Sequence, residues 1–559
     1  MATSDVRSPS VVSSPKESSR SGWYILALLV AVSLLFRFLL SNVDRVVWGD
    51  EPFYLWLGRN WLTGKGYTFT GYSDVHHAPL YPFLTGLLYL VTADLALSSR
   101  IWYILFGAAL CLPVYGIARE IYDRRAGHLS VLLVTFFPPL AVAVLYWGTL
   151  TEPPYYFFVY SGLYAALLAL RGKLAPWSYG AAGVLFALAY LTRPEAIAYL
   201  AVIGLFLAFI RLLERRLFTR QTLLGLALYL VGFAIFFIPY AVYVHKYTGS
   251  WMISEKAGVT FITGLGLSSG DTTAFDKSTW GLDKTGLEVY FFSPESYNVS
   301  MLEYIRAHPR DFARLLYQNT VKFVDALFSL RLFPYFLAPL VGLALLREAW
   351  SKPRSKAELL LFASLTPVLS FLLFFVQDRY IATLLPTLLI WLAVGLRDSG
   401  DWLSGTVQNL RGSPLKRGWS YLLFALPLIA VLAFCLLVAP RTARTTSQGS
   451  FRQAHRTAGL ALRAQGVPAE TIVMSRYPAI AFHADTRWAP TPNAEYEAVM
   501  RYARHKGARY FVVDERETKN MRPQLAFLVE GRQVPAELRL VHSETSEGEK
   551  LVVYEILDR

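Results

Sequence analysis

Apolar runs of about twenty residues recur from Trp23 to Pro440, and each run restricts what the chain around it can do. A helical run of that length matches the ~30 Å hydrocarbon core of a bilayer. Within lipid every backbone polar group must be satisfied inside the segment, which leaves helices as the spanning element for such runs. With 54% hydrophobic residues among 559 and a mean hydropathy of +0.37, the chain lacks the polar surface that a soluble protein of this size needs. The expectation is a mostly α, polytopic membrane protein. The only two cysteines, Cys111 and Cys435, fall inside apolar runs, which argues against a disulfide framework and against a cysteine-ligated metal. The net charge of +14 is read as loop charge that sets membrane topology rather than as a nucleic-acid surface.

The basic loops thread the chain. "AREIYDRRAGH" (118–128), "RGK" (171–173), "RLLERRLFTR" (211–220), "REAWSKPRSK" (347–356) and "RDSGDWLSGTVQNLRGSPLKR" (397–417) are short and rich in Arg and Lys. The positive-inside rule assigns all of them to the cytoplasm. That assignment predicts eleven spans, at about 22–41, 99–118, 128–147, 153–170, 176–192, 195–211, 223–244, 333–349, 357–376, 380–396 and 419–439. The apolar stretch 79–97 contains Pro82 and Asp94 and would break the parity as a twelfth span. It is read as a juxtamembrane or re-entrant helix.

The predicted organisation is a disordered cytoplasmic tail over 1–21, a transmembrane domain over 22–440 with external loops at 42–98 and 245–332, and an extracytoplasmic α/β domain over 441–559. The 247–332 segment reads as turns rich in Gly, Ser and Thr, followed by an amphipathic stretch lying along the membrane. In the last domain "ETIVMS", "RYFVVDE" and "KLVVYEI" read as strands, and "FRQAHRTAGLALRAQ" and "AEYEAVMRYARHKG" as helices, the latter ending at Gly507 as a C-cap.

This path puts the chemically suggestive short segments on one face. "WGDEPFY" (48–54), "GYSDVHHAPLYP" (71–82), "YWGTLTEPP" (146–154), "YLTRPEA" (190–196) and "VQDRYIATLLP" (376–386) all fall on the outer side. Asp50 and Glu51 offer a base, a metal ligand or an ion-pair partner; the same spacing fits an N-cap followed by a proline-led helix. Arg193 and Arg379 offer the planar donor fork that suits phosphate, or act as interfacial anchors. Glu152 opens a helix and suits its positive end. His76 and His77 could join Asp50, Glu51 or Glu152 around a divalent metal, although adjacent side chains diverge on any regular element. "NVS" (298–300) matches a glycosylation acceptor triplet, a pattern frequent by chance.

Taken in order, these segments resemble a known family. "WGDEPFYLWLGRNWLTGKGYTFTGYSDVHHAPLYPFLTGLLYL" resembles the first external loop of GT-C fold glycosyltransferases, and in particular bacterial relatives of the protein O-mannosyltransferases and the aminoarabinose lipid A transferases. "GRN" (58–60) and "HAPLYP" (77–82) match, with Ala78 where the family usually has proline. "TEPP", "LTRPE" and "DRYIATLLP" resemble later motifs, Ile381 to Thr383 departing from the pattern. The resemblance spans roughly 20–440. It implies an inverting transfer of a sugar from a polyprenyl-phosphate donor to an extracytoplasmic glycan, lipid or protein acceptor. It implies Asp50 as the base, Glu51 as its support and Glu152 as the second acid. Arg193, Arg379 and Tyr380 are implied at the donor phosphate, and Arg59, His76, His77 and Tyr81 at the acceptor or loop site. A divalent metal held by Asp50, Glu51, Glu152 and His77 stays open. The expected setting is the cell membrane, with the N-terminus cytoplasmic.

Two other classes compete. A secondary transporter would place ionisable residues at the bilayer midplane, and Arg37 is the one charge inside a span. A lipid-binding scaffold would leave the outer-face residues dispersed rather than gathered around a cavity.

Overall fold

The computed structural model describes residues 19–557 apart from 175, 272, 299, 415, 448 and 547. Residues 1–18 of the expected tail, and Val299 of the "NVS" triplet, lie outside the described residues. The first helix, Ser19–Ser41, begins inside the segment expected to be tail.

Helices occupy all eleven expected spans. Among the described residues seven are long and apolar enough to cross a membrane: Gly22–Ser41, Leu95–Ile121, Ala196–Leu213, Arg220–Thr248, Lys352–Leu373, Asp378–Arg411 and Gly418–Ser447. The other four are helical but shorter or more polar. Trp177–Thr192 and Tyr335–Leu346 are short apolar helices. Glu152–Leu170 carries Glu152 and four tyrosines. The run expected over 128–147 breaks at Phe137, which takes an extended conformation before Pro138 and Pro139, because the α region is disfavoured for a residue preceding proline.

Burial sorts these helices. In the apolar 18-residue window of the Asp378–Arg411 span 83% of the residues are buried within the protein, against 11% in that of Gly418–Ser447 and 22% in that of Gly22–Ser41. The first belongs to the centre of the bundle; the other two carry apolar faces to the periphery, as lipid-facing helices do. Leu80–Thr92 has thirteen residues, about 20 Å of helix at 1.5 Å per residue, and packs on Glu51–Leu62.

The segment after Thr248 is more helical than its composition suggests. "TGLGLSSGDTTAFDKSTWG" was expected as turns, yet its start completes the helix Lys256–Ser268 and its end forms Ala274–Trp280. The helix Pro309–Leu327 that follows is amphipathic, as its spacing predicts.

The C-terminal unit is a five-stranded sheet with β1 Ile472–Ser475, β2 Arg487–Pro490, β3 Ala508–Asp514, β4 Leu538–Ser546 and β5 Glu549–Ile556. The order is β2-β1-β3-β5-β4. β1 lies parallel to β2 and β3, and β5 antiparallel to β3 and β4. The three expected strands are β1, β3 and β5. β2 is four residues ending on a proline, and β4 is a mostly polar edge strand, so neither shows an apolar run. Helices Gly449–Ala464 and Tyr496–Lys506 complete the unit, the second closed by Gly507 at φ 68°. The unit shares its core with the loops before it: Val47, Phe53, Trp56 and Trp280 are buried in the same cluster as Val473, Phe511 and Val553.

Candidate functional site

Two Trp-Gly turns meet at the base of the site. Gly49 (φ 64°) and Gly148 (φ 77°) sit face to face, and a Cβ on Gly148 would stand 2.9 Å from the Trp48 carbonyl oxygen. Only glycine fits such a contact at positive φ. The Glu51 amide donates to the Gly148 carbonyl at 2.8 Å, so "WGDE" and "YWGTLTE" form one unit. Asp50 precedes the helix Glu51–Leu62, but its side chain caps no backbone amide. The carboxylate is left to face a cavity.

That cavity has a volume of about 1030 Å³ and is lined by Asp50, Tyr54, His76, Arg193, Arg379 and Tyr380, with Glu195 and Lys256 beside them. One wall is apolar. It includes Ile238 and Val242 of the helix Arg220–Thr248 and Trp251 beyond it, which are 55%, 49% and 68% exposed. An apolar wall this open, on a membrane helix, suits a lipid chain.

Arg193 ends the helix Trp177–Thr192 in an extended conformation before Pro194. Its guanidinium donates to Glu152 Oε1 at 2.8 Å and to Glu195 Oε1 at 2.5 Å, and lies over the rings of Tyr155 and Tyr380. Arg379 is held only by neutral groups: it donates to Gln377 Oε1 at 2.8 Å and to the Tyr380 hydroxyl at 3.1 Å. Lys256 lies over the Phe291 ring. Among the described residues neither Arg379 nor Lys256 pairs with a carboxylate. The cavity therefore holds two cations that no carboxylate pairs directly, an arrangement that favours an anion.

Tyr54 stays protonated well above the usual tyrosine range, because burial, then the Asp50 carboxylate, disfavour its phenolate. Burial also opposes charge on both histidines. At His76 the Glu255 carboxylate, 2.9 Å from Nε2, outweighs it and the pKa rises. At His77 burial and Lys256 outweigh Asp74, 3.1 Å from Nδ1, and the pKa falls.

The expected site residues divide between the cavity and its supports. Asp50, His76, Arg193, Arg379 and Tyr380 come together on the cavity wall. Glu51 does not join them. It is fully buried and paired with Arg45 through two contacts of 2.7 Å, with the Ser99 hydroxyl donating at 3.0 Å. Glu152 is also fully buried, behind the wall, accepting from Thr149 at 2.7 Å and from Arg193. Its geometry is that of a positioning residue for Arg193, not of a second acid at the cavity surface. His77 packs edge-on behind Tyr54, and Tyr81 lies buried beneath the same ring. Arg59 sits near the far end of its helix against Asp485 of the C-terminal unit, at 3.3 Å.

The metal set expected from Asp50, Glu51, Glu152 and His77 does not fit. Glu51, Glu152 and His77 are each engaged elsewhere, and among the described residues no three His, Cys, Asp or Glu side chains converge as ligands. Lys256 and Glu255 are the members that sequence reasoning missed. They lie in a loop segment without a motif, and only their charge beside an apolar span set them apart.

Residues 76–239 match the family described as dolichyl-phosphate-mannose-protein mannosyltransferase. No curated protein matches the chain in sequence. Among solved structures, it is similar to the archaeal oligosaccharyltransferase AglB from Archaeoglobus fulgidus in complex with an inhibitory peptide and a dolichol-phosphate. That match has 17% identity and a TM-score of 0.54, covering 90% of this chain and 70% of the other. It is similar also to ArnT from Cupriavidus metallidurans bound to undecaprenyl phosphate, at 14% identity and TM-score 0.53, covering 96% and 98%. At these identities the likeness is one of fold: a polytopic membrane protein of the GT-C architecture with a small C-terminal sheet.

Proposed function

We propose that this GT-C fold protein is an inverting glycosyltransferase that takes a sugar from a polyprenyl-phosphate and passes it to an acceptor on the extracytoplasmic side. The observation that carries this reading is the cavity itself, which puts a carboxylate and cations free of direct ion pairs on one chamber with an open apolar wall. The neighbouring proteins whose structures hold dolichol-phosphate and undecaprenyl phosphate support it, as does the mannosyltransferase family match.

The chemistry follows from the placement. Asp50 takes the proton of the acceptor hydroxyl as its oxygen attacks the anomeric carbon. The bond from that carbon to the phosphate oxygen breaks on the opposite face, so the configuration inverts. The departing lipid phosphate keeps the bonding electrons, and its charge falls on Arg379, Arg193 and Lys256. Glu152 keeps Arg193 aimed at the chamber. The polyprenyl chain stays along the wall formed by Ile238, Val242 and Trp251, with its phosphate at the interface.

A transporter gains no support from Arg37. Its guanidinium donates to the carbonyls of Leu140 and Val134, at 2.9 and 3.4 Å, and lies over Tyr103. It closes backbone acceptors freed by the break at Phe137.

The test uses purified protein in vesicles, a panel of polyprenyl-phosphate sugars and a mixed acceptor extract. Release of free polyprenyl phosphate is expected from one donor, with Asp50→Asn slower by roughly 10²–10⁴-fold, the usual weight of a general base. Undiminished release by folded Asp50→Asn would remove Asp50 from the mechanism.

A further inference from the structure

Beyond the chamber, the helix Glu51–Leu62 leads to a second concave region. A cavity of about 480 Å³ and another of about 350 Å³ share Trp56, Arg59, Tyr89 and Asp485, and so form one groove between the outer loop and the C-terminal unit. The pair Arg59–Asp485 stands in its middle, with side chains 27% and 56% exposed. We infer that this groove is a binding site for a neutral oligosaccharide. Its use as the acceptor site rests on the function proposed above; its ligand chemistry does not.

Charge balance selects the ligand. The larger half carries Arg59, Lys65 and Arg487 against Glu470 and Asp485. The smaller half carries Arg59 and Arg463 against Asp94 and Asp485. A polyanion meets carboxylates in both halves, and a cationic peptide meets arginines in both. An apolar ligand would strip water from charged groups without replacing it, which is costly. A sugar hydroxyl both donates and accepts, so it serves either sign of charge and brings none. The uncharged partners Asn60, Thr63 and Thr486 are of the same kind. Tyr89 borders both halves and Phe69 the larger one, both half-buried, giving ring surface for the C–H faces of sugar rings. Each volume falls in the range of small-ligand sites.

Placement links the groove to the chamber. Asp50 immediately precedes the first turn of the helix and Arg59 lies in its last turn, nine residues and about 14 Å apart at 1.5 Å per residue. A chain of several sugars, but not a single one, has the length to span that separation.

The experiment is calorimetric titration of the full-length protein in nanodiscs with short neutral oligosaccharides of the manno, gluco, galacto and arabino series, and with a uronic-acid oligosaccharide as counter-probe. One neutral series is expected to bind, with little dependence on salt. Arg59→Ala and Arg487→Ala should each weaken it about tenfold or more, the weight of one charged hydrogen bond. Arg487 and Lys65 are exposed, so Arg487→Ala and a further Lys65→Ala test the groove without a folding cost. Absence of binding by every neutral series, binding of the uronate alone, or binding indifferent to these substitutions would overturn the inference. Oligosaccharide binding without Asp50-dependent donor turnover would keep the groove and remove the transferase; turnover without binding would do the reverse.

Discussion

Successive side chains at the start of a helix point about 100° apart, and at Asp50 and Glu51 that rotation separates two chemistries. Asp50 faces the chamber. Glu51 turns inward to Arg45, where both partners are buried and the contact is doubled. Removing one partner of such a pair leaves the other charge uncompensated in a low-dielectric interior and costs about 3–5 kcal/mol. Glu51→Gln is therefore expected to lower the thermal midpoint in detergent strongly. Replacing both members by apolar residues, Arg45→Met with Glu51→Leu, should recover most of that loss. A double variant no more stable than Glu51→Gln would show that the pair is not the source of the effect. Glu152 behaves likewise at its own helix start: it is buried and accepts from Thr149 and Arg193.

The two helices Glu51–Leu62 and Leu80–Thr92 touch through glycine. A Cβ on Gly58 would stand 2.2 Å from the Pro82 carbonyl oxygen, and one on Gly86 2.3 Å from that of Gly58. Backbone on both sides leaves nothing flexible to yield. Gly58→Ala should force the helices apart, at a cost of about 1–3 kcal/mol, and tilt the helix that carries Asp50 at one end and Arg59 at the other. Donor turnover and oligosaccharide binding should fall together in that variant. Loss of either alone would mean the helix does not move as a unit. Gly58 opens the "GRN" motif, so this contact was visible in the sequence as a pattern, though not as a reason. The same division holds elsewhere. Span positions were legible because apolar length is a local property, and Asp50, Arg193 and Arg379 because each sits beside a helix-breaking or helix-starting signal. The duties of Glu51 and Glu152 were not, since Arg45, Ser99 and Arg193 reach them only through tertiary packing. Strands β2 and β4 escaped for the opposite reason: their local pattern is too short or too polar to register, and pairing with β1 and β5 makes them strands.

At the scale of the whole molecule, the C-terminal unit holds the residues around the chamber in place. Trp48, two residues before Asp50, sits among the rings of Phe451, His455 and Tyr477 at 5.3, 5.1 and 4.4 Å. Arg452 donates to the Tyr146 carbonyl at 2.9 Å, at the start of the segment that carries Thr149 and Glu152. A third tie is electrostatic. Asp276, from the long segment after Thr248, is 2.6 Å from Arg476 Nε and 2.7 Å from Arg522 Nη1, its side chain 1% exposed. Asp276 thus serves two guanidiniums that burial would otherwise penalise. Asp276→Ala removes the carboxylate that both contact directly, a loss on the order of 3–5 kcal/mol. That loss falls on the docking of the unit rather than on the membrane helices. Hydrogen exchange should accelerate in Ala274–Trp280 and around Arg476 and Arg522, with Leu385–Arg411 unchanged. Donor turnover should drop as well, because Trp48 and Tyr146 lose the surface that fixes them. Faster exchange with full turnover would show that Asp50 keeps its position without the C-terminal unit, and the unit would then serve the groove alone.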